Sequence, residues 1–199
     1  MPKRKQDTTS DTNKKKVKTT CNKSDEEDDE NERYWLIKAE PHTRMENGVD
    51  VKFSIHDLEK KKVEHWDGVR NYEARNILRD KMKVGDLCLF YHSNCKEPGI
   101  AGLAKVVKEG YPDFTAWDPR SPYFDPKSDK DKPKWFMVDV EFVKVLPRFI
   151  SLKEVQFYKD EDALKGMKLL TRGRLSVQPV KKSAFEFILN LSEKDNETF

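Results

Sequence analysis

Apolar positions are spread unevenly along the chain. Residues 1–33 hold three of them, Met1, Val17 and Cys21, and no aromatic, whereas all 4 Trp, 6 Tyr and 11 Phe lie in residues 34–199. A segment this polar cannot bury enough apolar surface to offset the entropy of ordering it, so 1–33 is expected to be a disordered tail. Residues 34–192 are enough for one domain with a sizeable core and few for two. Residues 193–199 are expected to be a disordered C-terminus.

Inside the domain, Tyr34-Trp35-Leu36-Ile37-Lys38 predicts a strand stopped by Pro41. Ser54-Ile55-His56-Asp57 predicts a short helix with Ser54 as its N-cap. Val69, Tyr72, Ile77, Leu78 and Met82 suit one face of a second helix. After a Gly85-Asp86 turn, the continuous run Leu87-Cys88-Leu89-Phe90-Tyr91 predicts a buried strand. Gly99–Val107 predicts another, in which Ala101, Gly102 and Ala104 permit close backbone approach. Phe136, Val138, Val140 and Phe142 alternate with Met137, Asp139 and Glu141, the period of a half-buried strand. Ser183-Ala184-Phe185-Glu186 has capping-box spacing and predicts the start of a C-terminal helix, with Phe187, Ile188 and Leu191 inward.

Between these elements, residues 110–134 carry Pro112, Pro119, Pro122, Pro126 and Pro133 together with Tyr111, Phe114, Trp117, Tyr123 and Phe124. So many aromatics predict an ordered, packed loop. The chain has no internal repeat and no regular alternation of strand and helix, which disfavours a doubly wound sheet. An α+β fold fits: a small mixed barrel or curled sheet flanked by helices.

Composition narrows the function classes. Hydrophobic residues make up 36% and charged residues 38%, yet 39 Lys+Arg against 36 Asp+Glu leave a net charge of only +3. Such a balance argues against a polycation that coats nucleic acid in bulk, while leaving room for a local basic site. No apolar run approaches the ~18–20 residues of a membrane helix, and the charged N-terminus lacks the apolar stretch of a secretory signal. Three cysteines, Cys21, Cys88 and Cys95, with no C-x-x-C pair, make a disulfide framework or a zinc site improbable and suit a reducing compartment. Within the tail, the basic clusters Lys3-Arg4-Lys5 and Lys14-Lys15-Lys16-Val17-Lys18 precede an acidic run from Asp25 to Glu30. Their spacing resembles a bipartite nuclear import signal; the alternative is a solvated, charge-mixed tail with no receptor. Ser24, ahead of the acidic run, is a candidate phosphorylation site.

Motifs for triphosphates, dinucleotides and serine hydrolysis are absent. His42, His56, His65 and His92 lack the spacing of a zinc hydrolase, and Cys88 reads as core. No cofactor or metal is expected. The informative segment is His65-Trp66-Asp67-Gly68-Val69-Arg70-Asn71-Tyr72. A tryptophan beside a glycine turn, followed by Arg, Asn and Tyr, offers a stacking plane and groups for the edge of a flat heteroaromatic ligand. Arg70 could also neutralise a phosphate. The bland alternative is that Trp66 and Tyr72 are core, with Arg70 and Asn71 capping the turn. Tyr91-His92-Ser93-Asn94, at the end of a buried strand, is either a pocket wall or a polar strand terminus. Lys38 and Glu40, on either side of Ala39, share a face as pocket groups or as an ordinary ion pair.

The same segments carry a family resemblance. Tyr34-Trp35-Leu36-Ile37-Lys38-Ala39-Glu40-Pro41 resembles the opening strand of EVE domains, usually Y-W-L-x-K-S-E-P. Trp66-Asp67-Gly68-Val69-Arg70-Asn71-Tyr72-Glu73-Ala74-Arg75-Asn76 resembles their W-x-G-V-R-N-x-x-A-R-N signature. Gly85-Asp86, Phe90-Tyr91-His92-Ser93, Gly99-Ile100-Ala101-Gly102, Tyr123-Phe124-Asp125-Pro126-Lys127-Ser128 and Trp135 match further blocks in order. The chain departs at Ala39, where the family often has Ser, which removes one hydroxyl from the pocket.

The resemblance implies a PUA-like mixed β pseudo-barrel flanked by helices, related in fold to YTH domains. It also implies a non-enzymatic nuclear reader of a modified base, with 5-methyl- or 5-hydroxymethylcytosine in DNA the leading ligand. The expected pocket joins Trp66 for stacking, Asn71 and Ser93 for the base edge, Lys38 and Arg70 for phosphate or edge contacts, and Tyr91 and His92 as walls. The expected partners are nucleic acid and, through the tail, an import receptor, with no membrane and a monomeric chain. Three other readings stay open. An RNA module of the same fold would sense the 2′-hydroxyl. An enzyme acting on nucleosides or RNA would need an acid or base such as His92 or Asp125. A protein-interaction adaptor would carry a vestigial pocket.

Overall fold

A computed structural model describes residues 34–194. The basic clusters at Lys3–Lys5 and Lys14–Lys18, Ser24 and Cys21 lie outside the described residues, as does the 195–199 end. Among the described residues, eight strands and five α-helices make up the fold: β1 (Tyr34–Ala39), β2 (Met45–Glu46), β3 (Val49–Asp50), α1 (Ile55–Lys61), β4 (Val63–His65), α2 (Tyr72–Asn76), β5 (Leu87–His92), β6 (Gly99–Pro112), β7 (Phe136–Ser151), α3 (Leu152–Phe157), α4 (Lys168–Thr171), β8 (Val177–Pro179) and α5 (Lys182–Ser192). Six strands form one mixed sheet in the order β4-β7-β6-β5-β1-β8, with β2-β3 a separate hairpin. β1 and β5 run parallel in the centre, from Tyr34 beside Leu87 to Ala39 beside His92, and every other pair is antiparallel. This is the α+β architecture expected from the sequence.

Both faces of the sheet are covered, which explains why the central strands read as unbroken apolar runs. Along β1, Trp35, Ile37 and Ala39 enter one core with α1, α2 and Trp66, while Leu36 enters a second core with α3, α4 and α5. Ser54 caps α1 in a full capping box with Asp57. At Gly102 a Cβ would lie 2.5 Å from Ile55 Cγ1, so the small residues of β6 do let α1 ride close on the sheet. The buried Asp86 carboxylate accepts from Trp35 Nε1 at 2.8 Å and Lys83 N at 2.9 Å, locking the turn before β5 to β1.

Several elements differ from the sequence pattern. The second helix is short, and Ile77–Lys81 continues it as a π-helical turn. Val69 is buried ahead of this helix, whereas Tyr72 is 56% exposed and stacks on Trp135 at 5.2 Å. Ser183 does not cap the last helix: α5 begins two residues earlier than such a cap would place it, at Lys182 after Lys181, and the Ser183 hydroxyl donates to Ala163 O at 3.5 Å. Met137 is fully buried rather than outward, because β7 has packing on both faces. β7 also continues through Pro147 to Ser151, which the β6 register shift between Ile100 and Gly102 accommodates. The start of the predicted loop, through Pro112, belongs to β6.

Candidate functional site

The C-terminal ends of the parallel strands β1 and β5 border a cleft of about 990 Å³. Small-molecule sites typically enclose ~300–1,000 Å³. Lys38, Ala39 and Ser93 line it from the strand ends, Trp66, Asp67 and Arg70 from the turn after β4, and Phe53, Tyr123 and Arg174 from three further segments.

The turn after β4 is anchored residue by residue. Trp66 N donates to Val138 O at 2.8 Å, extending the β4–β7 pairing by one bond. Its indole is 7% exposed and meets Phe90 edge to face at 5.5 Å and Phe53 at 6.2 Å, yet it still borders the cleft. Core packing and cleft lining are therefore both true of Trp66. Gly68 turns the chain at φ +70°, and a Cβ there would stand 2.7 Å from the Tyr123 ring. Glycine is required on both counts. Asn71 caps α2, its Oδ1 accepting from Ala74 N at 3.0 Å.

Arg70 clamps this turn to the long loop. Its Nη1 donates to Asp113 Oδ2 at 2.7 Å and its Nε to Tyr123 O at 3.1 Å. Asp113 is fully buried and also accepts from Gly68 N, Thr115 N and Thr115 Oγ1. A buried carboxylate is tolerable only when paired and hydrogen-bonded to this degree. At the far end of the loop, Asp125 accepts from Trp135 Nε1 at 2.7 Å, Lys127 N at 3.0 Å and Lys134 Nζ at 3.2 Å. These bonds, the one from Trp135 foremost, hold its carboxyl down at about 2. The long loop is thus ordered and supplies a wall of the cleft through Tyr123.

Of the residues singled out from the sequence, the fold brings Lys38, Trp66, Arg70 and Ser93 to the cleft. Lys38 Nζ donates to Gly173 O at 2.7 Å, and burial lowers its pKa. Ser93 donates to Ala39 O through its N at 2.8 Å and its Oγ at 3.2 Å. Lys38 and Glu40 do not pair with each other; Glu40 instead accepts from Arg44 and from Asn94 at 2.9 Å. Asn71, Tyr91 and His92 fall outside the lining. The Asn71 carbonyl is occupied as a cap, and Tyr91 is buried in the second core, where burial pushes its hydroxyl up to about 12. His92 packs between Phe90 and Phe149, and its Nε2 accepts from Ile55 N at 3.1 Å. Burial lowers it to about 4, so the ring is neutral near pH 7. Neither His92 nor Asp125, the acid–base candidates, borders the cleft.

Sequence reasoning missed three groups. Arg174 is exposed and makes no ion pair or hydrogen bond among the described residues; no motif marks it. Asp67 lies inside the signature but reads, beside Gly68, as a turn former. In the structure its side chain has no hydrogen-bond partner among the described residues. Burial, then the charges of Asp113 and Glu64, push its carboxyl up to about 6 against the pull of Arg70 and His65. Asp113, which anchors the wall from behind, carried a legible sign: an Asp two residues before Thr115 at the start of a helical turn. Among the described residues, no group of three or more His, Cys, Asp or Glu could hold a metal ion.

An indole beside a cation, a carboxyl and a hydroxyl in one cleft can stack on a flat ring and hydrogen-bond its edge. Thymocyte nuclear protein 1 of Homo sapiens is 54% identical over 169 residues, spanning 81% of this chain and 75% of the relative. A crystal structure of human THYN1 protein in complex with 5-methylcytosine containing DNA superposes with a TM-score of 0.79 at 54% identity, covering 82% of this chain and 99% of that one. A structure of a hypothetical protein from Leishmania major gives 0.71 at 53% identity, over 80% and 94% of the two chains. The EVE domain family model matches residues 33–191, and the chain belongs to the EVE domain family.

Proposed function

We propose that the chain is a nuclear, non-enzymatic, monomeric module that binds DNA by taking one flipped, modified cytosine into the cleft beside Trp66. The observation that carries this reading is the cleft itself, bordered by an indole and mixed polar groups, in a chain 54% identical to a protein crystallised with 5-methylcytosine containing DNA. The nuclear setting rests on the names of the relatives and on the basic clusters of the tail, and microscopy of the tagged full chain checks it.

The energetics favour an edge-reading site. Extruding a paired base costs a few kcal/mol. Stacking returns about 1–3 kcal/mol. The two nearly offset, so hydrogen bonds to the base edge and contacts to phosphate supply the net affinity, which weakens with salt. Arg70 is fully committed to Asp113 and Tyr123, so it serves by holding the wall in place. Arg174 is the better placed group for phosphate. To test the reading, full-length wild type and Trp66→Ala are titrated with duplexes containing cytosine, 5-methylcytosine or 5-hydroxymethylcytosine, and with matched RNA. Wild type should favour a modified duplex, and Trp66→Ala should lose roughly 5- to 100-fold in affinity for it. Equal binding of all duplexes by both proteins would overturn base capture, and tighter binding to the RNA would move the ligand to that class.

A further inference from the structure

Within residues 66–71, two acceptors hold Arg70, and the Asn71 carbonyl is spent on the helix cap. The Asp67 carboxyl is held by neither kind of contact. It borders the cleft next to the Trp66 indole, and no donor among the described residues reaches it. Its oxygens meet solvent in the open cleft, so a donor on a bound base can take the place of water there. Bases differ in what they present at this level. Cytosine carries an exocyclic amino group at C4, a donor, whereas thymine carries O4, an acceptor, on an otherwise similar edge.

We propose that Asp67 accepts a hydrogen bond from the exocyclic amino group of the captured cytosine, and so separates 5-methylcytosine from thymine. This rests on the base-capture reading above. The methyl group cannot make that distinction, since both bases carry it at C5. An ionised carboxylate welcomes the amino group and repels O4. An asparagine can donate to O4 instead, and so can a protonated carboxyl.

Protonation of Asp67 supplies a signature that a merely structural role would lack. The groups that act on it are Asp113 from the loop, Glu64 and His65 from β4, Arg70 from its own turn, and Tyr111 on β6 and Tyr123 on the loop, whose hydroxyls it in turn raises. Together with burial they place its titration near 6, inside the range where duplexes stay intact. Selectivity for 5-methylcytosine over thymine should therefore be greatest above about pH 7 and narrow towards pH 5.

The experiment measures affinity for duplexes carrying 5-methylcytosine or thymine at one position opposite guanine, between pH 5 and 8, for wild type, Asp67→Asn and Asp67→Ala. Wild type should favour 5-methylcytosine by roughly 5- to 100-fold at pH 7.5, the range of one good base-edge contact. Asp67→Asn should bring that ratio down to about 1 and make it independent of pH, with Asp67→Ala in between. Thermal unfolding of each variant confirms that it is folded, and Asp67→Asn covers the case in which Asp67→Ala is not. A wild-type ratio that survives in both variants, or no wild-type preference, overturns the role of Asp67 while leaving Trp66-dependent binding intact. Binding that ignores both cytosine modification and Trp66→Ala removes the base-capture reading, and this inference with it.

Discussion

His92 ends β5 with its Nε2 accepting from Ile55 N, the first residue of α1, between two phenylalanine rings. A ring held neutral in the folded chain, at about 4, ionises near 6.5 once unfolded. The unfolded state then binds more protons as pH falls, so stability is full above about 6.5, is lost between 6.5 and 4, and levels off below that. Partial exposure screens the effect to about 1–2 kcal/mol. His92→Gln keeps an acceptor for Ile55 and removes the proton. Its stability relative to wild type should therefore rise by about 1–2 kcal/mol from pH 7 to pH 4.5, read by urea unfolding. Asp67, with its raised pKa, works in the opposite sense over part of this window, and taking the variant-minus-wild-type difference cancels it. The sequence offered His92 as a pocket wall because it follows the buried run of β5. It did not show that the backbone of α1 claims its nitrogen, since Ile55 and His92 are 37 residues apart.

At the scale of elements, the turn between β4 and α2 depends on Gly68. Alanine there would adopt a left-handed conformation and press on the Tyr123 ring. The backbone cost alone is ~1–2 kcal/mol. Gly85, at φ +94° with nothing within 4 Å of where a methyl group would stand, isolates that backbone cost. Gly68→Ala should thus lose more stability than Gly85→Ala, about 2–4 kcal/mol against 1–2, in parallel thermal melts. Only Gly68→Ala should also weaken binding of modified DNA. Local signals in the sequence were the ones that proved legible. The capping box at Ser54 and the apolar runs of β1 and β5 are decided by residues within a turn or a strand of each other. The same capping spacing at Ser183 failed because packing of Ala184 and Phe185 starts α5 at Lys182. The alternation from Phe136 to Phe142 did not reveal that β7 runs on through Pro147 to Ser151, since the bulge that tolerates a proline is set by its partner β6.

For the whole molecule, net charge says little about DNA affinity, because most cations around the cleft are spoken for. Arg44 pairs with Glu40 and Glu46, Lys61 with Glu64, and Arg70 with Asp113. Arg174 is left exposed on the rim. Arg174→Ala should weaken binding to methylated and plain duplexes by similar factors, and lower the slope of log affinity against log salt by about 1. Trp66→Ala should leave that slope unchanged. The fold class was legible in the chain, and four of the seven residues proposed from it, Lys38, Trp66, Arg70 and Ser93, line the cleft, because strand ends and the turn after β4 lie close to their own sequence markers. Arg174, Phe53 and Tyr123 join them only through the folding of distant segments.

The tie between Arg70 and Asp113 also bears on how this domain can diverge. Asp113 fixes one end of the long connection and Asp125 the other, and between them Arg70 grips the carbonyl of Tyr123. The stretch from Asp129 to Lys132 makes none of these ties. Insertions and deletions should accumulate there among descendants of this chain, while the spacing from Asp113 to Tyr123 stays constant.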